Sequence, residues 1–106
     1  MSNTEQQIEQ EIKDKGLNAP RLTPADIDAV IVGETYTNLP DGHTVICQLT
    51  LKNGFTVDGK AACVSKDNFN QEIGNKIARD NAREKIWELE GYLLKEKLHQ
   101  ADLAKQ

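Results

Sequence analysis

Apolar and polar residues alternate in the middle of the chain and recur at helical spacing on either side of it. Between Thr44 and Val64 the period is two: TVICQLTL and FTVDGKAACV flank Asn53-Gly54, a dipeptide that strongly favours a tight hairpin. The alternation also fixes the register. A two-residue loop would set Leu51 opposite Thr56, Leu49 opposite Asp58 and Cys47 opposite Lys60, which puts charge on the apolar face. A three-residue loop of Lys52, Asn53 and Gly54, with Gly54 at positive φ, pairs Leu51 with Phe55, Leu49 with Val57, Cys47 with Gly59 and Val45 with Ala61. The apolar faces then coincide. Cys63 falls opposite His43, roughly 13 Å along the ladder from the position facing Cys47 at ~3.4 Å per residue. A disulfide cannot span that distance, so both thiols are expected reduced and in the core.

Glu34 to Asn38 (ETYTN) reads as a third strand, joined to the hairpin by the turn Leu39-Pro40-Asp41-Gly42, in which Pro presets one φ and Gly supplies a positive one. Ahead of it, Thr23-Pro24 supplies N-cap and N1 for a short helix with Asp26 and Asp28 near its start, a buried face of Ile27, Val30 and Ile31, and a stop at Gly33. A first helix, capped by Ser2 or Thr4 and ended by Gly16, has only Ile8 and Ile12 as apolar residues. So narrow a stripe leaves two readings: the helix docks on this chain or a neighbour, or it is a mobile terminus. Pro20 marks a linker over 18–22.

After the hairpin the period changes to that of a helix. Ser65 or Asp67 is the expected cap, Phe69, Ile73 and Ile77 are spaced by four, and Ala78, Ala82, Ile86, Leu89 and Leu93 continue a stripe that drifts round the axis. A stripe that wide suits packing on the sheet and on another helix or subunit, which predicts a homo-oligomer. Gly91 is an expected break, followed by a last turn or two over Tyr92 to His99 and fraying from Ala101. The fold class predicted is α+β: N-terminal helices, a three-strand antiparallel meander and a long C-terminal helical region. The chain reads as one domain over 1–106, with 1–22 as helix and linker and 100–106 frayed.

Thirteen Lys plus Arg against seventeen Asp plus Glu give a net charge of -4, a field that repels long nucleic acid but still allows a local basic patch. No apolar run approaches the ~20 residues of a membrane span, and the acidic, polar N-terminus is unlike a signal peptide, which predicts a cytoplasmic protein without membrane contact.

Catalytic sets are missing from the pattern. His43 and His99 sit in unrelated elements, and there is no Gly-rich phosphate loop and no CxxC or HExxH spacing, so the reading is of a protein that is not an enzyme and holds no cofactor or metal. Glu5, Glu9 and Glu11 read as solvated surface. One constellation stands out. At 100° per residue Lys76, Arg79, Arg83 and Trp87 share one side of the long helix, with Phe69 and Asp80 near its edge. Two guanidiniums, an ammonium and an indole could clamp phosphates and stack on a base. The competing reading is a solvated stripe in which Arg83 and Trp87 pack together and Asp80 pairs with Lys76.

The segment LKNGFTVDGKAACVSKDNFNQEIGNKIARDNAREKIWELEGYLL (Leu51 to Leu94) resembles the small bacteriophage and prophage proteins of the gene-49 and gene-66 family, and IEQEIKDKGLNAPRLTPADIDAVI (Ile8 to Ile31) is similar to that family's N-terminal half. NGF, NF, IGNKIARDNA and KIWELEGYLL occur in the family's order and spacing. The resemblance implies a phage or prophage accessory protein in the bacterial cytoplasm. The family in turn is similar to the first described class of Thoeris anti-defence proteins, oligomeric sponges that bind cyclic ADP-ribose-like signals, and in some members cyclic oligonucleotides, without cleaving them. On that resemblance the expected function is sequestration of a small phosphorylated signalling nucleotide, with Lys76, Arg79, Arg83, Trp87 and Phe69 as candidate ligand-binding residues read from the stripe itself. Two other functions stay open. An acidic interaction protein could block a host protein. Double-stranded RNA binding fits the order of elements but not the charge.

Overall fold

The hairpin forms in the register that its side chains dictate. β2 (Thr44–Leu51) and β3 (Thr56–Ala62) pair antiparallel with Leu49 opposite Val57, Cys47 opposite Gly59 and Val45 opposite Ala61. Gly54 takes φ +90° in the loop, the Gly54 amide donates to the Leu51 carbonyl, and the Leu51 amide donates to the Phe55 carbonyl at 2.8 Å. The Cys63 amide donates to the His43 carbonyl, and both cysteines are free. Cys47 is fully buried, whereas Cys63 is only half-buried, with its thiol toward the Asn68 carbonyl rather than in the core.

These features come from a computed structural model that describes residues 2–106, with side chains from residue 4 onward. The strand order is β1-β2-β3. β1 runs Ile31–Asn38, longer than the expected strand, because the preceding helix α2 (Pro24–Ala29) stops earlier than Gly33. Ile31 pairs with Leu51 and Gly33 with Thr50, so the register slips at Val32, which points outward at 62% exposure. Ile27 is the buried residue of α2; Val30 and Ile31, assigned to the same helical face from sequence, reach the core from the C-cap and from β1. A capping box closes the start of α2: the Thr23 hydroxyl accepts from the Asp26 amide, and the Asp26 carboxylate accepts from the Thr23 amide at 3.0 Å.

α1 spans Ser2–Asp14, so Thr4 lies inside it, while a cap at Ser2 falls outside the described side chains. It ends as expected at Gly16, φ +65°, with Gly16 and Leu17 amides donating to the Lys13 and Ile12 carbonyls.

The C-terminal region differs most from expectation. Ser65 caps only a short 3-10 turn, Lys66–Asn68; Phe69 is extended, and the Asn70 side chain accepts from the Ile73 amide to cap α3, Gln71–Ala104. Three capping residues compete within six positions, and the last one wins. α3 runs through Gly91 without a break and stays helical to Ala104. A single glycine costs about 1 kcal/mol relative to alanine, too little to interrupt a helix of 34 residues.

The face of α3 on the sheet is not the one that Ile73 and Ile77 suggested, since both are exposed. Ala78, Ala82 and Ile86 of the expected stripe do face inward, joined by Gly74. The reason lies on β3. A Cβ on Gly59 would stand 2.2 Å from the Ala78 carbonyl oxygen and 2.2 Å from the Ala82 amide nitrogen. Helix and strand backbones touch there, and only small residues permit it.

Candidate functional site

Arg79 and Arg83, one turn apart on α3, project from its flank between α1, α2 and β1. Arg83 is the more enclosed, with a side chain 12% exposed. Its Nε donates to Asp28 at 2.8 Å, its Nη1 to both oxygens of Glu5 at 2.6 and 2.7 Å, and its Nη2 to the Pro24 carbonyl at 3.3 Å. Burial works against its charge, but Glu5 and Asp28 outweigh that cost and raise its pKa further. Arg79 donates from Nε to Glu34 at 3.3 Å, and the same carboxylate accepts from the Tyr36 hydroxyl at 2.6 Å. That hydroxyl first and Arg79 second hold the Glu34 carboxyl below its usual range, while burial and then Glu34 push the Tyr36 hydroxyl up.

Both arginines line a cleft of about 370 Å³ together with Glu5, Asp28, Asp80 and Glu84. Four carboxylates thus face two guanidiniums, and the cleft carries both anion donors and hydroxyl acceptors. An adjoining hollow of about 500 Å³ lies between Ile8 and Ile12 of α1 and Leu22 and Trp87 of the body. The two share Glu5, Pro24 and Glu84 in their walls, so Trp87 stands next to the arginine cleft.

Of the residues singled out from sequence, Arg79 and Arg83 come together and Trp87 adjoins them. Lys76 and Phe69 do not line the cleft. Lys76 is exposed and pairs with Glu72 at 3.5 Å rather than with Asp80. Phe69 precedes α3, so the helical wheel that placed it near the stripe does not apply to it. Its ring packs at the opposite end, over Gly74 near Val45. Glu5, Asp28, Glu34 and Tyr36 were not candidates. Glu5 and Glu9 read as solvated, yet Glu5 grips Arg83 and Glu9 accepts from Arg21 at 3.1 Å. No local signal marks them, because Arg83 meets its partners 78 and 55 residues away in sequence.

A larger open groove, about 1050 Å³, runs between the hairpin tip and the outer part of α3. Its apolar walls are Leu51, Phe55 and Val57 against Leu89, Tyr92 and Leu93. Phe55 and Tyr92 are 55% and 74% exposed. Among the described residues no helix is long and apolar enough to cross a membrane, and no group of three or more His, Cys, Asp or Glu could hold a metal ion.

No curated protein and no solved structure matches the chain. A family model does match, over residues 22–98, and it takes in the meander, Arg79, Arg83 and Trp87 but not α1. With most of its length covered, the chain belongs to the Phage protein (N4 Gp49/phage Sf6 gene 66) family.

Proposed function

We propose that this phage-family protein binds and sequesters a small phosphorylated nucleotide-like signal in the host cytoplasm, without cleaving it. The observation that carries this reading is the cleft lined by both Arg79 and Arg83, residues one helical turn apart on α3, a spacing that suits a pyrophosphate. The carboxylates around them can accept from ribose hydroxyls, and Trp87 next door offers an aromatic face for a base. Sequestration requires affinity and no turnover, which suits a site built from arginines and carboxylates, and the similarity of the family to anti-defence sponges supports the same reading. Calorimetry with ADP-ribose and cyclic nucleotides, on the wild type and on Arg79→Ala/Arg83→Ala, tests it. The double variant should bind at least 100-fold more weakly, as expected for loss of charge-assisted bonds worth about 1.5 to 3 kcal/mol each. Ligand released from the wild type should be chemically unchanged. Equal affinity in both proteins overturns the assignment.

The apolar groove supports self-association, since Phe55, Tyr92 and Leu93 expose a contiguous apolar surface. Light scattering that gives a monomer mass at micromolar concentration would contradict it. A second reading, an acidic protein that blocks a host protein, is favoured by the neutralisation of Arg83 by Glu5 and Asp28. Under that reading no nucleotide binds, and the Arg79/Arg83 variant loses thermal stability instead.

A further inference from the structure

The three residues that engage Arg83 are not equally fixed. Asp28 and Pro24 belong to α2, which is anchored by its capping box and by Ile27, a residue with no exposed surface. Glu5 belongs to α1, in which none of the side chains from Thr4 to Asp14 is buried. Ile8, half of the apolar stripe of α1, is 52% exposed. Under that stripe lies the hollow beside Trp87, so α1 rests on its rim and does not pack into a core. What holds the helix down is charge: Glu5 on Arg83 at the N-terminal end, and Glu9 on Arg21 of the connector. The connector itself, from Gly16 to Leu22, has no helix or strand.

The chemistry of the Glu5 contact is that of a ligand. The Glu5 carboxylate sets both oxygens on Nη1, an anion position that a phosphate oxygen also fits, and it is the one contact to Arg83 that comes from α1. Resting on the phosphate reading of the cleft given above, we infer that α1 is a charge-latched strap whose Glu5 carboxylate stands in for a ligand phosphate on Arg83, so that ligand binding and α1 docking compete. Arrival of a phosphate displaces Glu5, Arg83 keeps Asp28, and the helix lifts from the hollow. Ile8, Ile12 and Trp87 then lose their cover together, which opens the aromatic face to the rest of the ligand. The strap therefore lowers apparent affinity and couples binding to exposure of apolar surface.

The chain has one tryptophan, Trp87, which makes the strap directly observable. The experiment compares the full-length wild type with Glu5→Gln, using inorganic pyrophosphate as the probe, chloride at matched ionic strength as the control, Trp87 emission, and trypsin cleavage at Lys13 and Lys15. Expected is a red shift in Glu5→Gln, cleavage several-fold faster than in the wild type, and an unchanged unfolding midpoint. Pyrophosphate should produce the same two changes in the wild type and bind Glu5→Gln about tenfold more tightly. Unaltered emission and cleavage in Glu5→Gln overturn the latch, whether or not pyrophosphate binds, and leave the cleft assignment standing if it does. Released α1 with equal pyrophosphate affinity in the two proteins overturns the competition alone. Released α1 with no pyrophosphate binding to either overturns the competition and the phosphate reading together.

Discussion

From Gln71 to Leu89 the long helix packs on the core, and from Glu90 to Ala104 it runs on past the hairpin tip. The first part buries Gly74, Ala78, Ala82 and Ile86; the second buries nothing, leaving Leu93 and Leu103 each 47% exposed and Leu94 and Leu98 half-covered. Geometry requires the overhang. A helix of 34 residues is about 51 Å long at 1.5 Å per residue, while strands of eight residues reach only about 27 Å. The molecule is accordingly elongated, with extents of 60 × 33 × 19 Å. The two parts form by different means. The first is held by tertiary contact and uses small residues that have little packing energy of their own; the second is rich in Leu, Lys, Glu and Ala and relies on local helix preference.

The largest expected effect is at the contact that defines the first part. Gly59→Ala places a Cβ against the backbone of Ala78 and Ala82, where no side chain can rotate away, and α3 must separate from β3. A loss of about 3 kcal/mol or more is expected in denaturant unfolding, at the upper end of overpacking costs. A loss below about 1 kcal/mol would mean that the helix is free to shift.

Truncations along α3 sharpen the contrast. Ile86→Ala should cost about 2 to 4 kcal/mol, since the side chain is fully buried. Leu98→Ala should cost under about 1 kcal/mol when the protein is dilute, and more as concentration rises if the overhang is a subunit contact. Urea titrations of both variants at two protein concentrations measure this. Equal losses would erase the difference between the two parts.

Acid gives the smallest effect. The Tyr36 hydroxyl and Arg79 depress the Glu34 carboxyl, Thr44 and the His43 amide depress Asp41, and Arg21 depresses Glu9. A carboxyl whose folded pKa lies below its unfolded value adds stability in full above the unfolded pKa, near 4, and loses it as pH falls through the folded one. Melting temperature should be level from pH 7 to about pH 5 and fall below about pH 4. Glu34→Gln should make that fall shallower, as read by circular dichroism melts.

How much of this was legible in advance depended on the range of the forces. The hairpin register needed only the alternation of Val45, Cys47, Leu49 and Leu51 and the backbone freedom of Gly54, and both features lie within the paired strands. Gly16, Thr23 and the Leu39–Gly42 turn were legible for the same reason. The cost of Gly91 is local and small against the helical residues on either side of it. Ile73 and Ile77 are hydrophobic and yet exposed. The face that packs is the one that can approach Gly59, and that proximity is a property of the folded backbone.

The sequence by itself determined the kinds of element and their order, how the hairpin pairs, and that Arg79 and Arg83 share one flank of a helix. These follow from dihedral preference and from periodicity, which act over a few residues. Only the tertiary structure decided what the arginines face. Glu5 and Asp28 reach Arg83 from 78 and 55 residues away, and Glu34 reaches Arg79 from 45. A charge pair has no sequence periodicity, because its energy depends on distance and burial, and both exist only once α1, α2 and β1 are packed around α3.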